Sequence, residues 1–236
     1  MAYRDAPLTL VRSEDTSDKI MRIIAFTDIH GAFNRVLDIL QRESQYDVIL
    51  IGGDLTTHGT AREATDALER IRQFKKPLFA VAGNMDLPSF ETEFTKLGVN
   101  INAKGMLHED IGFFGIAGSP FTPMHTPYEI SEDEIQRRAE SGWRDIQAAR
   151  VKVFVPHAPP RDTKLDKIFL GKHVGSTAVR DFVLHNQPDV LICGHIHEAR
   201  GEDVLGNTKL VNCGAASSGY YAVIDIQNRI SITLRG

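Results

Sequence analysis

Seven side chains able to bind a metal ion stand in five short motifs. These are Asp28-Ile29-His30, Gly52-Gly53-Asp54, Gly83-Asn84, Pro156-His157 and Gly194-His195-Ile196-His197. Their carboxylate, amide and imidazole donors suit a borderline-soft divalent ion. In Asp28-x-His30 the two side chains point the same way if the strand continues one step. Each motif also has a plainer reading. Asp-x-His at a strand end is ordinary turn chemistry, and Gly52-Gly53-Asp54 and Gly83-Asn84-Met85-Asp86 read as tight turns. His157 between prolines reads as a rigid loop residue, and His195 with His197 as a surface pair. Cysteine is absent from the set, which disfavours a structural zinc site.

The elements that must carry these motifs alternate along the chain. Met21–Thr27 reads as a strand, followed by a helix with Phe33, Val36, Leu37 and Leu40 on one face. Asp47–Ile51 is a second strand. Thr60-Ala61-Arg62-Glu63 has capping-box spacing and opens a helix that turns Ala64, Ala67, Leu68, Ile71 and Phe74 inward. Pro77–Ala82 is a third strand. Strand and helix in alternation, with polar residues at each strand's C-terminal end, predict parallel βα units.

Further on, Leu107–Asp110 and Ile111–Ala117 predict a hairpin, and the proline-rich run from Gly118 to Pro127 a loop or rim. Ser131 to Glu134 fits a helix start, and Trp143 at helical spacing reads as core. Val151–Val155 is a strand that ends at His157, followed by a polar segment to about Gly171. A helix with Val179, Phe182 and Val183 then precedes the strand Asp189–Cys193. Two hairpins close the chain, turning at Gly206-Asn207 and Gln227-Asn228. Parallel strands of one sheet present their C-terminal ends to a common edge, where open α/β proteins place ligands. Seven donors there exceed one four-coordinate site and suit two metals sharing a carboxylate, with positions left for water and substrate.

Composition sets the outer limits. The 236 residues are 42% apolar and 25% charged, enough for a large core, and the net charge of −4 gives no footprint for duplex nucleic acid. Residues 1–20 read as a loose lead-in and 21–236 as one domain. No stretch approaches membrane-spanning length, and Leu8-Thr9-Leu10-Val11 is too short for a signal-peptide core. Cys193 and Cys213 read as reduced thiols of a cytoplasmic protein. The strand-rich tail could supply a homodimer surface.

The ordered motifs Asp28-x-His30, Gly52-Gly53-Asp54, Gly83-Asn84, His157 and Gly194-His195-x-His197 resemble the calcineurin-like metallophosphoesterase superfamily. The match runs from about residue 22 to the C-terminus. Within it the chain looks most like the small single-domain prokaryotic phosphoesterases, notably in His173-Val174-Gly175-Ser176 and Cys193-Gly194-His195-Ile196-His197-Glu198. The resemblance implies a four-layer α/β/β/α sandwich of two mixed sheets flanked by helices. It implies one metal on Asp28, His30, Asp54 and His197, and a second on Asp54, Asn84, His157 and His195. Mn, Fe and Zn all tolerate these donors. The implied activity is hydrolysis of a small phosphodiester or phosphomonoester by a hydroxide bridging the metals, without a covalent phosphoenzyme. A neutral Asn84 would keep the pair a useful Lewis acid.

One residue departs from the pattern. Many relatives have histidine after the Asn, where it stabilises the transition state or protonates the leaving group; here Met85 stands, a poor proton donor. That predicts a bias toward good leaving groups, such as aryl esters or phosphoanhydrides. His58, His125 and His173 are candidate replacement donors, with local bonding the plainer reading for each. His173 is the first to test because of the local resemblance. Asp86 could orient a ligand histidine or cap the following helix. Arg161, Lys164 and Lys167 could hold a phosphate or simply make a solvated loop. An interaction or scaffold module with little turnover is the competing function, since Met85 weakens the catalytic case, while the filled ligand positions speak against it. A nuclease is less attractive without a basic track.

Overall fold

The computed structural model describes residues 20–169 and 171–236. The lead-in expected over 1–20 thus lies, but for Ile20, outside the described residues.

The first sheet is built on three parallel strands, β1 (Met21–Phe26), β2 (Val48–Gly52) and β3 (Leu78–Val81). Their Ile, Val and Leu runs are buried on both faces, as central parallel strands require. Helices α1 (Phe33–Arg42) and α2 (Ala61–Arg72) follow β1 and β2 and bury Val36, Ile39 and Leu40, and Ala64, Leu68 and Ile71. The predicted capping box opens α2: the Thr60 hydroxyl accepts from the Glu63 amide at 3.2 Å, and the Glu63 carboxylate accepts from the Thr60 amide at 2.7 Å. A short helix, α3 (Phe90–Lys96), was not expected; its two buried rings, Phe90 and Phe94, sit one turn apart, too brief a pattern to show a period.

The second sheet has six strands in the order β4-β5-β6-β7-β9-β8, with ranges Gly105–His108, Ile111–Ile116, Val151–Pro156, Val190–Cys193, Thr208–Asn212 and Gly201–Leu205 respectively. Strands β5, β6, β7 and β9 run parallel, while β4 and β8 return antiparallel at the two edges. Alternation sorts its two faces. Phe113, Val153, Val155, Val190 and Ile192 join the core shared with the first sheet, where Phe79 stacks on Phe113 at 4.5 Å. Phe114, Phe154, Leu191 and Cys193 face a second core under α4 (Glu132–Asp145) and α5 (Thr177–Asn186). Trp143, half-buried, packs edge-on against Phe114 and Phe182 at the margin of this second core. The last hairpin, β10 (Tyr221–Ile226) with β11 (Ile230–Arg235), crosses back so that β10 lies antiparallel beside β1. Two mixed sheets flanked by helices result. Both cysteines are buried and free, and no helix among the described residues is long and apolar enough to cross a membrane.

Candidate metal centre

The chain segments that leave β1, β2, β3, β6 and β7 meet at one edge. Past β1 and β2 two loops pair side by side: the amides of Asp28, His30 and Gly31 donate to the carbonyls of Gly53, Asp54 and Leu55 at 3.0, 2.9 and 2.9 Å. The second sheet joins them where the Gly194 amide donates to the His157 carbonyl at 3.1 Å and the His195 amide donates to the Asp28 carboxylate at 3.1 Å. Glycine permits this approach. A Cβ on Gly194 would collide with Asp28 Oδ2, and one on Gly83 with Asp54 Oδ1.

All seven predicted donors converge there. His197 Nε2 lies 3.3 Å from Asp28 Oδ1 and 3.4 Å from His30 Nε2. Oδ2 of Asp54 stands 3.7 Å from His30 Nε2 and 3.5 Å from His157 Nε2. Asn84 Oδ1 completes the chain, 3.0 Å from His157 Nε2 and 2.8 Å from His195 Nδ1. Asp28, His30 and His197 offer ligand atoms all within 4.8 Å of one another, and so do Asp28, Asp54 and His157. Asp28, Asp54, Asn84 and His157 are buried, His30 and His195 half-buried, and His197 exposed on the open side.

The backbone here is strained. Asp28, His30, Asp54 and His195 have φ of 55°, 46°, 51° and 67°, left-handed conformations that side chains rarely adopt. Each costs on the order of 1–2 kcal/mol and persists only where the surroundings impose it. Four of the seven converging donors have this conformation.

Neighbouring groups fix the rings. His157 Nδ1 faces the Gly52 carbonyl at 2.8 Å and His30 Nδ1 the Thr57 hydroxyl at 2.8 Å, so each turns Nε2 into the centre. The surroundings favour positive charge at His157 and His197 but not at His195. Burial opposes ionisation of Asp28, but the His197 hydrogen bond and the His157 and His197 charges hold it at about 2. Burial likewise depresses His157, and the Asp54 and Asp28 carboxylates override it to about 9. His197 is raised by its bond to Asp28, whereas desolvation and the His157 charge take His195 down to about 4. The donors fit divalent cations on three counts: the mix of O and N atoms, the facing Nε2 atoms of His30 and His197, and this field.

Asp86 sits behind the centre. Its Oδ2 accepts from the amides of Leu55 and Gly83, and its Oδ1 from the amide and hydroxyl of Thr56, at 2.9–3.0 Å. It therefore clamps the Asp54 loop to the Asn84 loop. Burial and the Asp54 charge lift it to about 6 against those bonds. His173 lies on the segment between β6 and α5, with Nδ1 2.7 Å from Oδ1 of the buried Asp166. That segment is well tied: Asp166 also accepts from the amides of Asp162, Thr163 and Gly175. His58 and His125 are exposed at left-handed turns. Arg161 and Lys164 pair with Asp162 and Asp203, and Lys167 is solvent-exposed. Asp166 is foreshadowed in the sequence only by Thr163-x-x-Asp166, which repeats the capping-box spacing of Thr60 and Glu63.

A model of the calcineurin-like phosphoesterases matches residues 21–199, which contain strands β1 to β7 and all seven donors. The chain belongs to the calcineurin-like phosphoesterase family. An uncharacterised protein of Methanocaldococcus jannaschii is 32% identical over 219 residues, 91% of this phosphoesterase and 96% of that protein. A probable glycerophosphodiester phosphodiesterase of Arcobacter nitrofigilis is 24% identical over 227 residues, 93% of this chain and 82% of its own length. Two solved structures share the fold. A Thermus thermophilus protein has a TM-score of 0.74 at 17% identity, covering 92% of this chain and 99% of that one. A dimetal phosphatase of Danio rerio has 0.60 at 10% identity, covering 92% and 96%.

Proposed function

We propose that this phosphoesterase is a dinuclear-metal hydrolase of a small phosphodiester or phosphomonoester, working in the cytoplasm. The observation that carries the reading is the placement of Asp54. Its Oδ1 is occupied by the Met85 amide at 2.8 Å, while Oδ2 stands between His30 and His157. One carboxylate oxygen facing two sets of imidazoles suits a shared ligand. Asp28, His30 and His197 would hold one ion with Asp54; Asn84, His157 and His195 would hold the other. Bound divalent ions would supply Lewis acidity, activating water and polarising the phosphoryl group.

The chain's own groups do the rest. Gly52 and Thr57 orient His157 and His30, and Asp86 keeps the two ligand loops in register. His173 would serve as the proton donor to the leaving group through Nε2, with Asp166 holding the ring at Nδ1. Met85 offers no proton, so esters with poor leaving groups depend on His173 for one. The similarity to a probable glycerophosphodiester phosphodiesterase favours diesters among the possible substrates.

The test is elemental analysis of the purified protein together with a panel of para-nitrophenyl mono- and diesters. The proposal expects two Mn, Fe or Zn ions per chain and chelator-sensitive hydrolysis. Bound metal without turnover on any ester would favour an interaction module instead.

A further inference from the structure

Strand β9 lies between β7 and β8 in the second sheet. The chain from Cys193 to Gly201, which carries His195 and His197, must therefore arch over the end of β9. Asn212 stands at that end, opposite Cys193 on one side and Gly201 on the other, and is fully buried.

Its side chain fills the arch. Nδ2 donates to the Ile196 carbonyl at 2.9 Å and stands 3.4 Å from the carbonyls of Gly194 and Leu165. The carbonyls of Gly194 and Ile196 flank His195. That residue, with a φ of 67°, is the apex of a three-residue turn closed by the Ile196 amide on the Gly194 carbonyl at 2.8 Å. Such a turn with positive φ is rare and strained, and it persists only where the surroundings impose it.

The other end of the carboxamide faces the first sheet. Oδ1 accepts from the Gly214 amide at 2.9 Å, and the Gly214 carbonyl accepts from the Thr27 hydroxyl at 3.1 Å. The amides of Ala216 and Ser217 then donate to the carbonyls of Thr27 and Asp28 at 2.9 and 3.2 Å. An amide suits the place because it offers two donor hydrogens and an acceptor oxygen on one short side chain.

Resting on the metal-centre reading above, we infer that Asn212 is a positioning residue for that centre. Its carboxamide holds the arch of His195 and His197 against the Asp28 segment, so that ligands from the two sheets meet. It acts through the Ile196 and Gly194 carbonyls and the Gly214 amide.

The test is manganese titration by calorimetry, beside urea unfolding and amide exchange of the metal-free protein. Asn212→Ala should weaken manganese binding by about tenfold to a hundredfold, the usual scale for groups that orient metal ligands. Exchange at the Gly214 amide, which loses its acceptor, should quicken about tenfold more than exchange in β1. Val179→Ala, a deletion in the second core, should lower stability yet leave manganese affinity within about twofold. If Asn212→Ala does not fold, Asn212→Ser, whose hydroxyl is too short to span the arch, takes its place. Equal affinity of the wild type and the Asn212 variant, or an equal loss in Val179→Ala, would overturn the inference while leaving the metal centre intact. A wild type that binds no manganese would remove the metal-centre reading and this one with it.

Discussion

Nε2 of His30 and Nε2 of His197 face each other at 3.4 Å, although the two residues lie 167 apart in the chain. Two neutral imidazoles can share one proton at that distance, or both can turn their lone pairs to a cation. The second arrangement predicts that His197→Ala lowers metal content from two ions per chain to one or fewer. Because His197 is exposed, the fold should survive. Elemental analysis beside circular dichroism checks both, and an unchanged metal content would count against the assignment.

Gly194 offers a steric test of the same centre. Its φ is not in the left-handed region, so alanine is conformationally permitted, yet the added methyl would strike Asp28 Oδ2 and the Thr27 side chain. Gly194→Ala should weaken metal binding by tenfold or more, read by manganese titration, because Asp28 must move. Unaltered affinity would show that Asp28 is not held as a ligand.

Asp86 is a buried carboxylate with four donors aimed at it. In Asp86→Asn one position becomes an NH2 group facing two N–H donors. Leaving buried donors unpaired in this way costs about 2–3 kcal/mol. Urea unfolding of the metal-free protein should register that loss, and metal binding should weaken as the Asp54 and Asn84 loops separate. A stability unchanged within about 0.5 kcal/mol would contradict the clamp.

His173 and Asp166 predict a split by leaving group. His173→Gln should reduce turnover of alkyl esters about a hundredfold, the usual scale of general-acid catalysis, and leave para-nitrophenyl esters nearly untouched. Asp166→Asn should act in the same direction. A uniform loss on both ester classes would point to misfolding of the segment rather than proton transfer.

The turn that Glu129 ties together should respond to pH. Burial would raise Glu129, but the bonds from Thr122 and Thr126 outweigh it and hold the carboxyl at about 2, below its ordinary 4.5. A depressed carboxyl stabilises the fold above its unfolded pKa. That contribution is complete above about pH 4.5 and fades as pH falls toward 2. Hydrogen exchange at the Thr122 and Thr126 amides should accelerate, relative to intrinsic rates, over that interval. Glu129→Gln should show fast exchange throughout, and a flat wild-type profile would contradict the argument.

The ligand motifs were legible because each follows a strand whose apolar run ends abruptly in Gly, Asp, Asn or His. Local chemistry and strand register are both written in the chain there. The parallel run of the central strands followed from alternation with helices, but the placement of the last hairpin did not. Ile224 pairs with Ile23 across the whole length of the sequence, and nothing local in Tyr221–Ile226 says which sheet it joins. Asp86 read as a helix cap or ligand orienter because its partners, Leu55, Thr56 and Gly83, are backbone and hydroxyl groups brought to it by tertiary structure. Asp166 escaped for the same reason. The turn from Thr122 to Thr126 was visible only as part of a proline-rich loop, since exposure of Phe121 and Met124 depends on how Glu129 folds it.

The sharing of Asp54 is tested most directly by anomalous diffraction from crystals soaked in manganese. The account predicts two peaks roughly 3.5–4 Å apart, both within bonding distance of Asp54 Oδ2, one beside His30 and His197 and the other beside His157 and His195. A single peak, or two peaks that leave Asp54 unbound, would contradict it.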